Sequence, residues 1–462
     1  MAESQQFLGW KQYSMEPVAF ALTFAYSICD NVYTDLIIYQ TCKTITGLNS
    51  SECDILHENS TTNRANEIEK LVQPHTGSIF ILDSCIKTIF PTLMALFLGP
   101  WSDKNGRKPL LIVPFLGYAL SYAILALMSN FNLSPYWFLL SSIPGSILGG
   151  FPTICLTFWS YKADITDSQN RAWHLACLET FFFGGFLGGL FVGPYTFRHA
   201  GYMVVFLIAS ASCLSATIYS VFLVPETIQI QHQRALKDVF DYKLVRDLFK
   251  AVLKSRDGFD KFLVWSCVLS IAINVSIMEG NGSILFLFTS YKLQWNLSDV
   301  SIYSGTNLLL TIIGMLLLIK LVGSILKLPE TVIVVLSCLS TSISCLGKAF
   351  VSKPYHMYIT AGIGMFSASA VPAIRSIVSK TVPQDDLGKT FSVITIVEMI
   401  IPFAATPLYL YIYTHTLDMF PCPVWFLSAS LPIVNIILAI MIEYRWKVLK
   451  NTQYSEIVTE RD

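Results

Sequence analysis

The sequence predicts an all-α membrane protein, with twelve transmembrane helices in two six-helix halves. Three observations lead there. Of the 462 residues 53% are hydrophobic and only 13% charged, with a mean hydropathy of +0.55, whereas a soluble domain carries about a quarter charged residues. Apolar runs long enough to cross about 30 Å of hydrocarbon recur along the chain. A single charged stretch divides those runs into six and six.

The first half has runs at 17–40, 76–98, 109–129, 136–159, 172–196 and 201–224, within a half bounded at 1–226. The run at 17–40 reads as a span and not as a cleavable leader, because it is too long and lacks a small-residue cleavage site. The second half, 262–444, has runs at 262–290, 300–323, 330–351, 357–378, 390–413 and 423–443, followed by a tail at 445–462. The linker at 227–261 interleaves Lys237, Lys243, Arg246, Lys250, Lys254 and Arg256 with Asp238, Asp241, Asp247 and Asp257. Its apolar residues recur at helical spacing, which predicts an amphipathic helix on the membrane surface.

Lys and Arg fall 23 to 7 in favour of the side that holds the linker, so both termini are expected in the cytosol. The long loop at 41–75 then lies outside, with glycosylation sequons at Asn49 and Asn59. Cys42 and Cys53 lie in the same loop and can form a disulfide in an oxidising compartment, with Cys422 as a rival partner. Eight further cysteines sit within apolar runs as small core residues, and no CxxC occurs. The formal charge is zero, from 31 basic and 31 acidic residues, which points away from nucleic acid. No HExxH, nucleophile elbow or metal-ligand cluster is present, so neither an enzyme nor a metal or cofactor is expected. Gly388-Lys389-Thr390 ends like a P-loop, but Pro383 stands where the first glycine belongs.

Gly99-Pro100-Trp101-Ser102-Asp103-Lys104-Asn105-Gly106-Arg107-Lys108-Pro109, between the second and third spans, resembles the G-x-x-x-D-x-x-G-R-[KR] signature of the major facilitator superfamily. Gly106 suits the positive φ of a tight turn. Asp103 can accept hydrogen bonds from helix ends and basic groups, and Arg107 and Lys108 hold the loop inside. The second copy has decayed to Leu321-Val322-Gly323-Ser324-Ile325-Leu326-Lys327.

Further stretches resemble the proton-coupled folate transporter family over nearly the whole chain. They are Met15-Glu16-Pro17, Ala163-Asp164 with Arg171 and Leu178-Glu179, Pro372-Ala373-Ile374-Arg375, Ser379-Lys380, and Gly388 with Phe391-Ser392. The resemblance implies a secondary transporter that takes a small organic anion and protons as partners. It places Asp164 and Arg171 in an inner loop, Glu179 at the proton-coupling carboxylate and Arg375 in substrate and proton coupling. Relatives of the folate carrier also handle peptidoglycan fragments and other organic anions.

Ionisable residues within spans are candidates in their own right, because each costs several kcal/mol unless paired or facing water. Glu179 and Glu398 lie in the fifth span of their respective halves, and are pseudo-symmetric. Glu279, Asn274 and Asn281 interrupt the seventh span beside Gly280 and Gly282, where the glycines permit unwinding around a cavity. Met278 stands where the folate carrier has a histidine, so proton coupling falls to Glu179, Glu398 and Glu279, with Asn274 and Asn281 beside the substrate. Asp83 and Lys87, at i and i+4, neutralise each other. The expectation is a symporter in the plasma membrane first and the endosome or lysosome second, the latter from Tyr454-Ser455-Glu456-Ile457. A muropeptide carrier is one alternative, and a non-transporting receptor or scaffold is another.

Overall fold

A computed structural model describes residues 13–46, 50–53, 63–167, 170–227, 246, 261–293, 295, 297–383, 386–416 and 422–459. Asn49, Asn59 and nearly all of the expected linker helix lie outside the described residues. Those that are described form helices and turns without strands. Among the described residues, ten helices are long and apolar enough to cross a membrane. One of them, Arg171–Phe222, is two helices merged across Gly201, whose φ of 78° and ψ of −178° break the ladder. Glu16–Thr44 also has the length to cross, but Asp30, Asn31 and Asp35 interrupt its apolar run. Dividing the merged helix and adding Glu16–Thr44 accounts for the twelve expected spans.

Proline marks several of the starts, as at Pro17, Pro109 and Pro354. Its fixed φ suits the first helical turn, where its missing N–H is not needed. Asn63–Asn105 begins well before its apolar part, so residues 63–75 of the expected outer loop are helix. Pro423–Thr459 likewise carries the last span on into the tail.

The chain forms two compact units. The first contains residues up to Phe158 and Phe181–Leu244. Within it the first and fifth spans touch backbone to backbone along Gly185, Gly189 and Gly193, spaced four apart. A Cβ at Gly189 would stand 2.6 Å from the Ile28 nitrogen, and one at Gly193 2.7 Å from the Ile28 carbonyl oxygen. Small residues at this spacing let helices close without intervening side chains. The second unit joins Trp159–Thr180 to the chain from Val245 onward. Its apolar centre packs Phe288, Trp295, Tyr303, Tyr409 and Trp425.

The seventh span corrects an expectation. Lys261–Leu293 is one unbroken helix, and Gly280 serves close packing, since a Cβ there would meet the Tyr409 ring at 2.5 Å. Unwinding occurs elsewhere. The fourth span breaks between Leu139–Ile147 and Gly150–Ile165, where Gly149 and Gly150 have φ of 114° and 63°. The tenth tightens to a 3₁₀ helix at Gly364–Ser369, directly before the helix Ala370–Thr381 that carries Arg375.

Candidate substrate and proton site

Three ionisable side chains meet in the second unit. Arg375 lies six residues from the end of Ala370–Thr381, Glu179 eight residues into Arg171–Phe222 and Glu398 eleven into Leu387–His415. At 1.5 Å per residue these are depths of about 9, 12 and 17 Å from the helix ends. Arg375 Nη1 donates to Glu179 Oε1 at 2.5 Å, and Nη2 to Glu398 Oε1 at 2.5 Å. The guanidinium also lies 3.8 Å from the centre of the Trp159 ring. Its planar fork is the reason one residue can serve two carboxylates and a ring face together. Arg375 and Glu179 are buried and Glu398 is nearly so. Fully ionised, the triad carries one negative charge in excess.

The arginine helix is pinned on either side. Arg171 Nη1 donates to the Ser379 carbonyl and hydroxyl, both at 3.0 Å, while Nη2 reaches the Thr166 carbonyl at 2.9 Å. Lys380 pairs with Glu330, which also accepts from Ser376 at 3.2 Å. Asp164 lies beside this cluster and is partly exposed.

Other expected residues stand apart from the triad. Asn274 donates to its own helix at Ser270, at 2.8 Å. Asn281 accepts from Ser428 at 2.6 Å and contacts Cys345, which makes it a link between spans. The half-buried Glu279 has no hydrogen bond to any described residue. None of the three joins the triad through a hydrogen bond or ion pair among the described residues.

In the first unit Gly106 has a φ of 103°, which turns the chain between the second and third spans. Arg107 is buried, pairs with Asp103 at 2.7 Å and donates to Ser102 Oγ at 2.5 Å. Ser102 in turn donates to the Gly99 carbonyl at 2.7 Å. The backbone N–H groups of Arg107 and Lys108 donate to Glu226 at 2.9 and 3.1 Å. Lys108 Nζ donates to the Val221 carbonyl at 2.5 Å. Glu226 was not anticipated from sequence. It sits where the helix Pro109–Met128 exposes its positive end, which favours an anion there. Its signal was an acid directly after the sixth span, beside a proline. Lys162 was not anticipated either, and it is fully buried. Cys42 and Cys53 are bonded to each other, with Cα atoms 6.0 Å apart.

The family model described as Major Facilitator Superfamily matches residues 77–406. The chain belongs to that superfamily. It is a membrane transporter and not an enzyme. It is 27% identical over 432 residues to a Drosophila melanogaster protein described as a probable peptidoglycan muropeptide transporter, covering 91% of this chain and 83% of that one. It is 24% identical over 431 residues to the Rattus norvegicus proton-coupled folate transporter, covering 93% and 92%. Among solved structures, the human organic anion transporter MFSD10 superposes with a TM-score of 0.71 at 16% identity, over 94% of this chain and 99% of that one. That likeness supports the fold.

Proposed function

We propose that this transporter is a proton-coupled symporter of an organic anion, working by alternating access, with Arg375 as the anion-binding group. The observation that carries the reading is one guanidinium shared by two pseudo-symmetric glutamates, Glu179 and Glu398, at 2.5 Å each. A proton on Glu179 removes the excess charge of the triad and loosens its hold on Nη1. That edge of the guanidinium is then available to a substrate carboxylate, with the bidentate geometry a carboxylate prefers. Loss of the proton on the far side restores the Glu179 contact and expels the anion. Proton and substrate therefore share one arginine, which makes their movements interdependent.

The folate and muropeptide relatives favour carboxylate-bearing solutes, and muropeptides are the second substrate class on the strength of the Drosophila relative. The bias of basic residues supports cytosolic termini. The plasma membrane is the first expected location, with the endosome or lysosome second.

Glu179→Gln tests the coupling. Glutamine has the size of the protonated acid and releases no proton. In proteoliposomes the variant should keep exchange of preloaded substrate and lose accumulation driven by an acid-outside gradient. Equal loss of both would make Glu179 structural or a direct ligand. Retention of both would transfer coupling to Glu398 or Glu279.

A further inference from the structure

A second group of charges lies in the first unit. Asp30 is at the midpoint of Glu16–Thr44, and Lys87 is nine residues from the Ser78 end of the second span, about 14 Å along the helix. Both are solvent-accessible: Asp30 is exposed, and the Lys87 side chain is 39% exposed. An ion at mid-span facing hydrocarbon costs several kcal/mol, so exposed charges at this depth belong on the wall of a water-filled cavity.

The two are held differently. Lys87 is fixed by Asp83, whose Oδ2 takes its ammonium at 2.6 Å and whose Oδ1 accepts from Ser142 of the fourth span at 2.6 Å. The Tyr33 ring faces the same ammonium at 4.6 Å. Asp83 is buried and engaged on both oxygens, so it acts as the anchor. An ammonium has three donors, and the described residues occupy one. The Asp30 carboxylate accepts no hydrogen bond from any described residue. It lies within electrostatic reach of Lys87 and Asp83 but makes no direct ion pair with Lys87. An anchored cation and an unsatisfied carboxylate thus stand within electrostatic reach of one another without a direct ion pair.

We propose that Asp30, Lys87 and the Tyr33 ring bind a zwitterionic group of the transported solute, an ammonium and a carboxylate on one carbon, as at a free α-amino acid centre. The ammonium meets Asp30 and the carboxylate meets Lys87. The assignment deepens the symporter reading and rests on it. It favours solutes with an amino-acid end over those that are anionic only.

The test uses the purified full chain and two probes. One is a muropeptide whose stem ends in diaminopimelate, and the other is the same compound acetylated on its free amine. Affinity is read by ligand-induced thermal shift, and transport by counterflow in proteoliposomes with folate as a third solute. The native protein should bind the free-amine form about tenfold tighter, the scale of one charged contact. Asp30→Asn should collapse that ratio toward one, and Lys87→Gln should weaken the free-amine form by about tenfold or more. Asp30 is exposed, so its variant keeps the test decisive even where Lys87→Gln, which strands Asp83, fails to fold. A native ratio near one, or an undiminished ratio in folded Asp30→Asn, overturns the assignment. Binding of folate with neither muropeptide bound overturns it while leaving the symporter reading intact. Failure of all three solutes to bind or exchange removes both.

Discussion

Replacing Arg375 with lysine keeps the charge and discards the fork, which makes it the sharpest probe of the triad. The guanidinium places one nitrogen on Glu179 and another on Glu398, each at 2.5 Å, with its plane on Trp159. A single ammonium from the same Cα satisfies one carboxylate and strands the other. Breaking a buried pair by removing one partner costs about 3–5 kcal/mol. At roughly 2–4 °C per kcal/mol for a domain of this size, Arg375→Lys should lower the unfolding temperature by about 6 °C or more. Arg375→Ala strands both acids and should fall further. Adding Glu398→Gln to the lysine variant restores one cation to one anion and should recover more than half of the loss. The assay is thermal unfolding of the purified protein, with tracer exchange in proteoliposomes alongside. Exchange should be weakened in the lysine variant and lost in the alanine variant. An unfolding temperature within about 2 °C of native with full exchange in Arg375→Lys would refute the fork. No recovery in the double variant would refute the charge-balance argument.

Three further outcomes are expected. Non-reducing peptide mapping should find Cys42 joined to Cys53, and a bond from either to Cys422 would overturn that pairing. Glu226→Ala removes the acceptor of the Arg107 and Lys108 N–H groups and should cost about 1.5–3 kcal/mol, the scale of hydrogen bonds to a charged group; an unchanged unfolding temperature would deny it that role. Gly189→Leu should abolish surface expression because its Cβ meets the Ile28 backbone, while Gly188→Leu, whose Cβ meets the Phe24 ring at 3.5 Å and the Phe20 ring at 3.8 Å, both ordinary contacts, should be tolerated; equal behaviour of the two would count against the close helix contact.

The spans were legible because hydropathy depends on composition alone, and crossing hydrocarbon imposes a minimum length on each apolar run. Breaks within spans were not. Gly280 and Gly282 looked like an unwinding site, yet Gly280 makes room for Tyr409, and the actual break falls at Gly149 and Gly150. A glycine permits both outcomes, and the neighbouring helix selects between them. Sequence likewise marked Glu179 and Glu398 as a pseudo-symmetric pair and Arg375 by the resemblance to the folate carrier, without bringing the three together. Their convergence on one guanidinium depends on how three helices are rotated, which no local pattern encodes. The same rotation turned Asn281 toward Ser428 and away from the triad. Trp159 and Lys162 escaped notice because their types are common near span ends.

The pseudo-symmetry of the two glutamates gives the triad its particular character. One acid paired with one arginine would be neutral and would gain nothing from a proton. Two acids on one arginine leave a unit of negative charge, and in a water-excluded setting that excess is costly unless a proton or a cation cancels it. In the proposed mechanism a bound anionic solute would add to the excess, so the loaded triad would need the proton more than the empty one. Linkage requires the converse as well: a protonated triad must bind the anion more tightly than an unprotonated one, by the same factor. Measuring substrate affinity at two pH values and proton uptake on substrate binding should therefore return one coupling constant. Unequal constants from the two measurements would mean that the proton titrates a group outside the triad.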